Sequence, residues 1–165
     1  MIGQIFLWLF VIVLGVEMGA GLYETLVVVP VWASNVPDSV IAYYRHNTAD
    51  PQLALTPGLR FWIFNTPLLG LVSIAALLSG LRTSPEHRKW RIAGTGLSII
   101  LVAATFAWFV PNIIKLGSAD VLTMSREEVA STANAWVNLN WVRVMAGSLA
   151  WLAGLRAFSI SSKER

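Results

Sequence analysis

Glu17 and Glu24 lie inside an apolar run, Ile2 to Val29, that is long enough to cross a lipid bilayer. A hydrocarbon core about 30 Å thick takes roughly 20 helical residues, and it penalises ionisable groups that lack a partner. The seven-residue spacing of the two acids brings them within about 20° of one helix face at 100° per residue. Gly21 lies between them and leaves room for a close approach. The chain must therefore fold so that these carboxylates meet something polar inside a membrane.

Three more apolar runs have spanning length: Leu59 to Leu81, Trp90 to Val110 and Trp136 to Phe158. With 56% hydrophobic and only 13% charged residues and a mean hydropathy of +0.64, a soluble domain is excluded. The expectation is an all-α, integral membrane four-helix bundle forming one domain over 1–165, with helices about 2–29, 59–81, 85–110 and 126–158. The first run has no basic leader and stays apolar past any cleavage point, so it is read as a retained helix and not a signal peptide.

Charge placement gives the expected orientation. Arg82, Arg88, Lys89 and Arg91 lie between the second and third runs, and Arg156, Lys163 and Arg165 follow the fourth. The other two loops dilute their basic residues with Asp38, Asp50, Asp120, Glu127 and Glu128. Basic residues mark the cytoplasmic side, which places both termini there, in a bacterial inner membrane, with a long first extracytoplasmic loop. The positive balance thus reads as a topology signal, and no nucleic acid is expected as a partner. No cysteine is present, which excludes thiol redox chemistry, thiolate metal sites and iron–sulfur clusters.

The boundaries carry capping signals. Thr56-Pro57 and Ser84-Pro85-Glu86 each read as a helix start with proline in the first turn, and Ser125 with Glu128 is a capping box. Pro30 and Pro111 are expected to end the first and third helices. Pro37 to Asn47 is expected to form a short helix laying Val40, Ile41, Tyr43 and Tyr44 on the outer surface.

Depth then selects a candidate site. The first helix carries Glu24 near its outer end, and the fourth returns to place Arg143 roughly 10 Å beyond Trp136. The second brings Asn65 to that zone, with Pro67 beside it, and Asn112 closes the third. Trp136, Asn140, Arg143, Gly147 and Gly154 share one face of the fourth helix. Glu24, Arg143 and Glu17 are the expected chemical groups, with Asn65, Asn112, Asn140, Trp136, Trp62 and Tyr23 as binding residues. Each has a plainer alternative: a structural ion pair, asparagines as interhelical glue, and aromatics gathered at the bilayer interface. Gly15 and Gly19 form a GxxxG for close packing or for self-association into a homo-oligomer. No metal is expected; His46 with Glu17 and Glu24 is the one set that could be drawn.

The strings GVEMGAGLYETLVVVPVW, Asn65-Thr66-Pro67 and WVNLNWVRVMAGSLAWLAGLRAF resemble the anthrone oxygenase-like family of small four-helix membrane proteins, over nearly the full chain. The resemblance implies a fold and a reaction class: oxidation of an anthrone to an anthraquinone with dioxygen as co-substrate and no cofactor. On that reading a lipophilic phenolic or polycyclic molecule enters from the bilayer, Glu24 acts as general base, and Arg143 with the asparagines stabilises the resulting enolate. The alternatives are a proton-coupled transporter of lipophilic compounds, comparable in helix number to small multidrug transporters, and a packing or assembly subunit without a ligand.

Overall fold

The computed structural model describes residues 2–49 and 57–163, which besides a 3-10 turn at Ala119–Leu122 form five α-helices and, among the described residues, no strand. They are α1 (Ile2–Ala33), α2 (Asp38–Ala49), α3 (Pro57–Gly80), α4 (Pro85–Leu116) and α5 (Arg126–Lys163). Thr56, the expected cap of α3, lies outside the described residues. The four long helices run up and down in chain order. Gly3 meets Ser79 across α1 and α3, Ser73 bonds Ser98 across α3 and α4, and Gly94 meets Ala150 across α4 and α5. The indole N–H of Trp151 on α5 donates to the Val11 carbonyl on α1 at 3.1 Å, which closes the ring of helices.

Small residues set the closest approaches. A methyl group on Gly94 would stand 2.9 Å from the Ala150 carbonyl oxygen, and one on Gly154 would stand 2.8 Å from the Phe10 ring. Between apolar helices, which gain little from hydrophobic burial inside lipid, such backbone proximity is what association draws on. Gly15 packs under the Trp151 indole, while Gly19 has nothing within 4 Å.

Pro30 and Pro111 do not end their helices, contrary to the sequence expectation. Each is preceded by one wide π turn, Glu24–Val28 in α1 and Thr105–Phe109 in α4, closed by Val29 N–H to the Glu24 carbonyl and Val110 N–H to the Thr105 carbonyl. The widened turn makes room for a proline ring that would otherwise strike the carbonyl four residues back. Both helices therefore continue, to Ala33 and Leu116. α5 likewise extends past 158, to Lys163.

Two clusters make the interior. One joins Leu7, Phe10, Leu14, Leu69, Val72, Ala76, Ala150 and Ala157 through the body of the bundle. The other lies at the α2 end, where Val29, Trp32, Val40, Phe109, Val121, Val129 and Trp136 are buried together and Ile41, Tyr43 and Tyr44 pack against them, so these α2 side chains turn into the bundle and not onto the outer surface as the sequence suggested. α2 thus caps one end of the bundle. The Arg126 guanidinium holds Asp38 in a two-pronged bond of 2.8 and 2.9 Å, which keeps that carboxyl below its ordinary range. At the start of α5 the Ser125 hydroxyl accepts from Glu128 N–H at 3.1 Å, half of the expected capping box, while the Glu128 carboxylate pairs instead with Lys115 at 2.6 Å.

At the opposite end, Arg91 is 2% exposed, a correction to its assignment among the loop residues of the basic cluster. Its guanidinium donates to the carbonyls of Ala76 (2.7 Å) and Gly3 (2.5 Å) and to the Ser79 hydroxyl (2.7 Å), tying α1, α3 and α4 together. The outer surface of the bundle is apolar, with Phe64, Leu71, Ile100, Met145 and Leu149 each more than 60% exposed. α1, the stretch Arg60–Gly80 of α3, and α4 are long and apolar enough to cross a membrane.

Candidate functional site

The first wide turn begins at Glu24 and the second ends at Phe109, so both irregularities flank the same level of the bundle. Wide turns of this kind recur at functional sites because they re-aim side chains. Here they bracket an ion pair. Arg143 Nη2 donates to Glu24 Oε2 at 3.2 Å, with the two side chains only 15% and 20% exposed. The other carboxylate oxygen of Glu24 accepts from the Trp62 indole N–H at 3.1 Å. The Arg143 guanidinium lies over the faces of Trp62 (5.3 Å) and Phe109 (4.8 Å), where the ring quadrupoles favour a cation.

Beside this cluster is a chamber of about 40 Å³ with walls from all four long helices. Glu17, Thr66, Ser98, Thr105 and Arg143 give it polar atoms, and Met18, Leu69 and Leu101 are among its apolar lining. Glu17 has Thr66 within hydrogen-bonding reach, and its Oε1 is buried with no protein partner. The volume suits about three water molecules, at 10–15 Å³ each on this measure.

Above the chamber the helices are sealed by aromatic rings. Trp136 stacks edge-on against Trp32 (5.4 Å) and Phe109 (5.7 Å). Its indole N–H donates to the Phe109 carbonyl at 3.3 Å, and the Asn112 amide donates to the Trp108 carbonyl at 2.7 Å. Carbonyls around the second wide turn thereby receive side-chain donors, as buried backbone groups require.

Of the residues selected from sequence, Glu24, Arg143 and Trp62 are in mutual contact, and Glu17 lies on the chamber wall with Arg143. Asn140 is fully buried and donates to Thr25 Oγ1 at 2.8 Å, linking α5 to α1. Asn112 and Trp136 serve the backbone, as above. Asn65 is half-buried, with its amide nitrogen lacking a protein partner, and does not line the chamber. Tyr23 is 61% exposed and does not line the chamber. His46 is exposed on α2, and among the described residues no three His, Asp or Glu side chains gather as a metal site would need. The hydroxyls of Thr66, Ser98 and Thr105 were not selected, although Ser98 and Thr105 are seven residues apart and so share a helix face. Arg91 was passed over because it follows a run of loop cations.

No protein-family model matches the chain, and neither a curated protein nor a solved structure is significantly similar to it.

Proposed function

We propose that the chain is a four-span membrane protein with both termini cytoplasmic, and that its chamber receives the polar edge of a lipophilic molecule arriving from the bilayer. The observation that carries this reading is the pairing of Arg143, Glu24 and Trp62 beside a mainly apolar chamber with polar atoms on its wall, which lies beneath the Trp32, Phe109 and Trp136 rings. α2 and those rings cover the approach from the α2 end, and Arg91 knits the other end. A lateral route between helices is left, which suits a solute dissolved in lipid. α5 supplies the fourth span: it exposes Leu139, Trp141, Val142, Met145, Leu149 and Leu152, and its central charge, Arg143, faces inward. Arg82, Arg88 and Lys89, all exposed, still mark the α3–α4 connection as cytoplasmic.

The chamber is small beside the several hundred Å³ of an ordinary ligand site. A polycyclic body therefore sits between parted helices while its oxygen reaches Arg143. Oxidation of an anthrone is the reaction the sequence resemblance implies: the methylene carbon loses two hydrogens and gains one oxygen atom of dioxygen, and the other oxygen leaves as water. Arg143 would steady the enolate oxygen.

The test uses the full chain in lipid nanodiscs titrated with anthrone, following tryptophan fluorescence and oxygen uptake. Saturable quenching that Arg143→Gln removes is the expected result, and oxygen uptake identifies the oxygenase. Quenching that never saturates overturns the reading. One observation favours a second reading, proton-coupled transport: Arg143 is already paired with Glu24, so Glu17, on the same chamber wall, can take up and release a proton without stranding the guanidinium. A pH-gradient-driven flux in liposomes with no oxygen uptake would select it.

A further inference from the structure

We infer that Glu17 is the carboxyl through which the chamber exchanges a proton, and that Glu24 is a positioning residue that fixes the Arg143 guanidinium. The assignment rests on the ligand reading above for its chemical setting and reverses the order in which the two acids appear from sequence. Glu24 does not line the chamber, and both of its oxygens are engaged, one by Arg143 and one by Trp62. Glu17 does line it, and presents a buried oxygen with no protein hydrogen-bond partner. A buried acceptor left unmatched is costly, so this oxygen is the natural place for a hydroxyl group to dock.

The charged group facing Glu17 is Arg143 from α5, which is itself paired with Glu24. α3 contributes Trp62 and Thr66, and α4 contributes Ser98 and Thr105, none of which titrates in the physiological range. The trio holds one positive and at most two negative charges, so a single proton on Glu17 decides whether the chamber is neutral. The ligand class follows: a lipophile with a phenolic or enolic hydroxyl. Its O–H bond breaks, the proton goes to Glu17 Oε1, and the oxyanion is left beside Arg143. Net charge in the chamber is unchanged by the transfer, and no oxidant is consumed.

The experiment is an infrared pH titration of the full chain in nanodiscs, first ligand-free and then with 1-naphthol as the phenolic probe. A protonated-carboxyl band that titrates separately from the exposed acids is expected, absent in Glu17→Gln, kept in Glu24→Gln, and displaced in Thr66→Val, which alters only the neighbour of Glu17. The Thr66→Val arm decides the matter should Glu17→Gln fail to fold. Affinity for 1-naphthol should vary by up to about tenfold per pH unit in the unmodified protein and be flat in Glu17→Gln. Glu24→Gln should lower affinity at every pH without flattening the profile, with Glu24→Asp intermediate. A band lost in Glu24→Gln but kept in Glu17→Gln, or no separately titrating band, overturns the assignment. A Glu17 band without any 1-naphthol binding sinks the ligand reading and leaves the assignment intact.

Discussion

Replacing Arg143 by Met tests whether the Glu24–Arg143 pair behaves as a buried interaction. Removing one partner of a fully buried pair typically costs 3–5 kcal/mol, whereas an exposed pair is worth at most about 1 kcal/mol. With side chains 15% and 20% exposed and a single bond of 3.2 Å, the pair stands nearer the buried limit, which sets the loss at about 2–4 kcal/mol. Met keeps the side-chain volume and its sulfur packs on the Trp62 and Phe109 rings, so part of each ring contact, about 0.5–1 kcal/mol for a cation, is retained. Glu24→Gln alone leaves the guanidinium without its counter-ion and costs about 1–3 kcal/mol. The two changes together should cost less than their sum by about 1–3 kcal/mol, because neither then strands a charge. The assay is reversible unfolding in mixed micelles, titrating a denaturing detergent against the four proteins of the cycle. Additivity within about 0.5 kcal/mol would refute the reasoning: the two groups would then be independent.

Arg91→Lys should destabilise nearly as much as Arg91→Gln, about 2–3 kcal/mol in the same assay, because an ammonium cannot span the Ala76, Gly3 and Ser79 acceptors as the planar guanidinium does. Gly94→Ala should cost about 1–3 kcal/mol by pressing a methyl on the Ala150 and Gly154 backbone, whereas Gly19→Ala, which meets nothing, should be neutral or stabilising by up to about 1 kcal/mol. The Asp38 carboxyl is held below its ordinary value by Arg126, so the pair steadies the α2 cap above the ordinary value and the effect fades as pH falls through the lowered one. Hydrogen exchange in α2 should accordingly be faster in Asp38→Asn than in the unmodified chain at neutral pH, with the difference vanishing in acid.

The helical class and the meeting of Glu24 with Arg143 were legible because both follow from helical periodicity and from the rise per residue, which translate sequence separation into depth. The short helix α2 was legible too, from its spacing of apolar and aromatic residues between prolines. The C-terminal ends of α1 and α4 were not. Proline at 30 and 111 is an ordinary stop signal, and whether a chain stops or widens by one residue depends on partners such as Trp136, which reaches the second turn from α5. The relative roles of Glu17 and Glu24 were likewise hidden, since spacing puts both on one face but does not reveal which is already satisfied. Arg91 looked like its neighbours Arg88 and Lys89 because composition cannot distinguish the last loop residue from the first buried turn.

The two wide turns mean that α1 and α4 each hold one residue more than a regular helix would fit into that length. Trimming a single residue from either turn would restore regular i to i+4 bonding and leave both flanking segments presenting the same faces, at the cost of pressing the proline ring on the carbonyl four residues back. Trp32 and the aromatic seal on one side, and the apolar core toward Arg91 on the other, would keep their register. The surplus residue is thus a removable insert between the storey of the seal and the storey of the main apolar core, and in α1 Glu24 is the residue at which it opens.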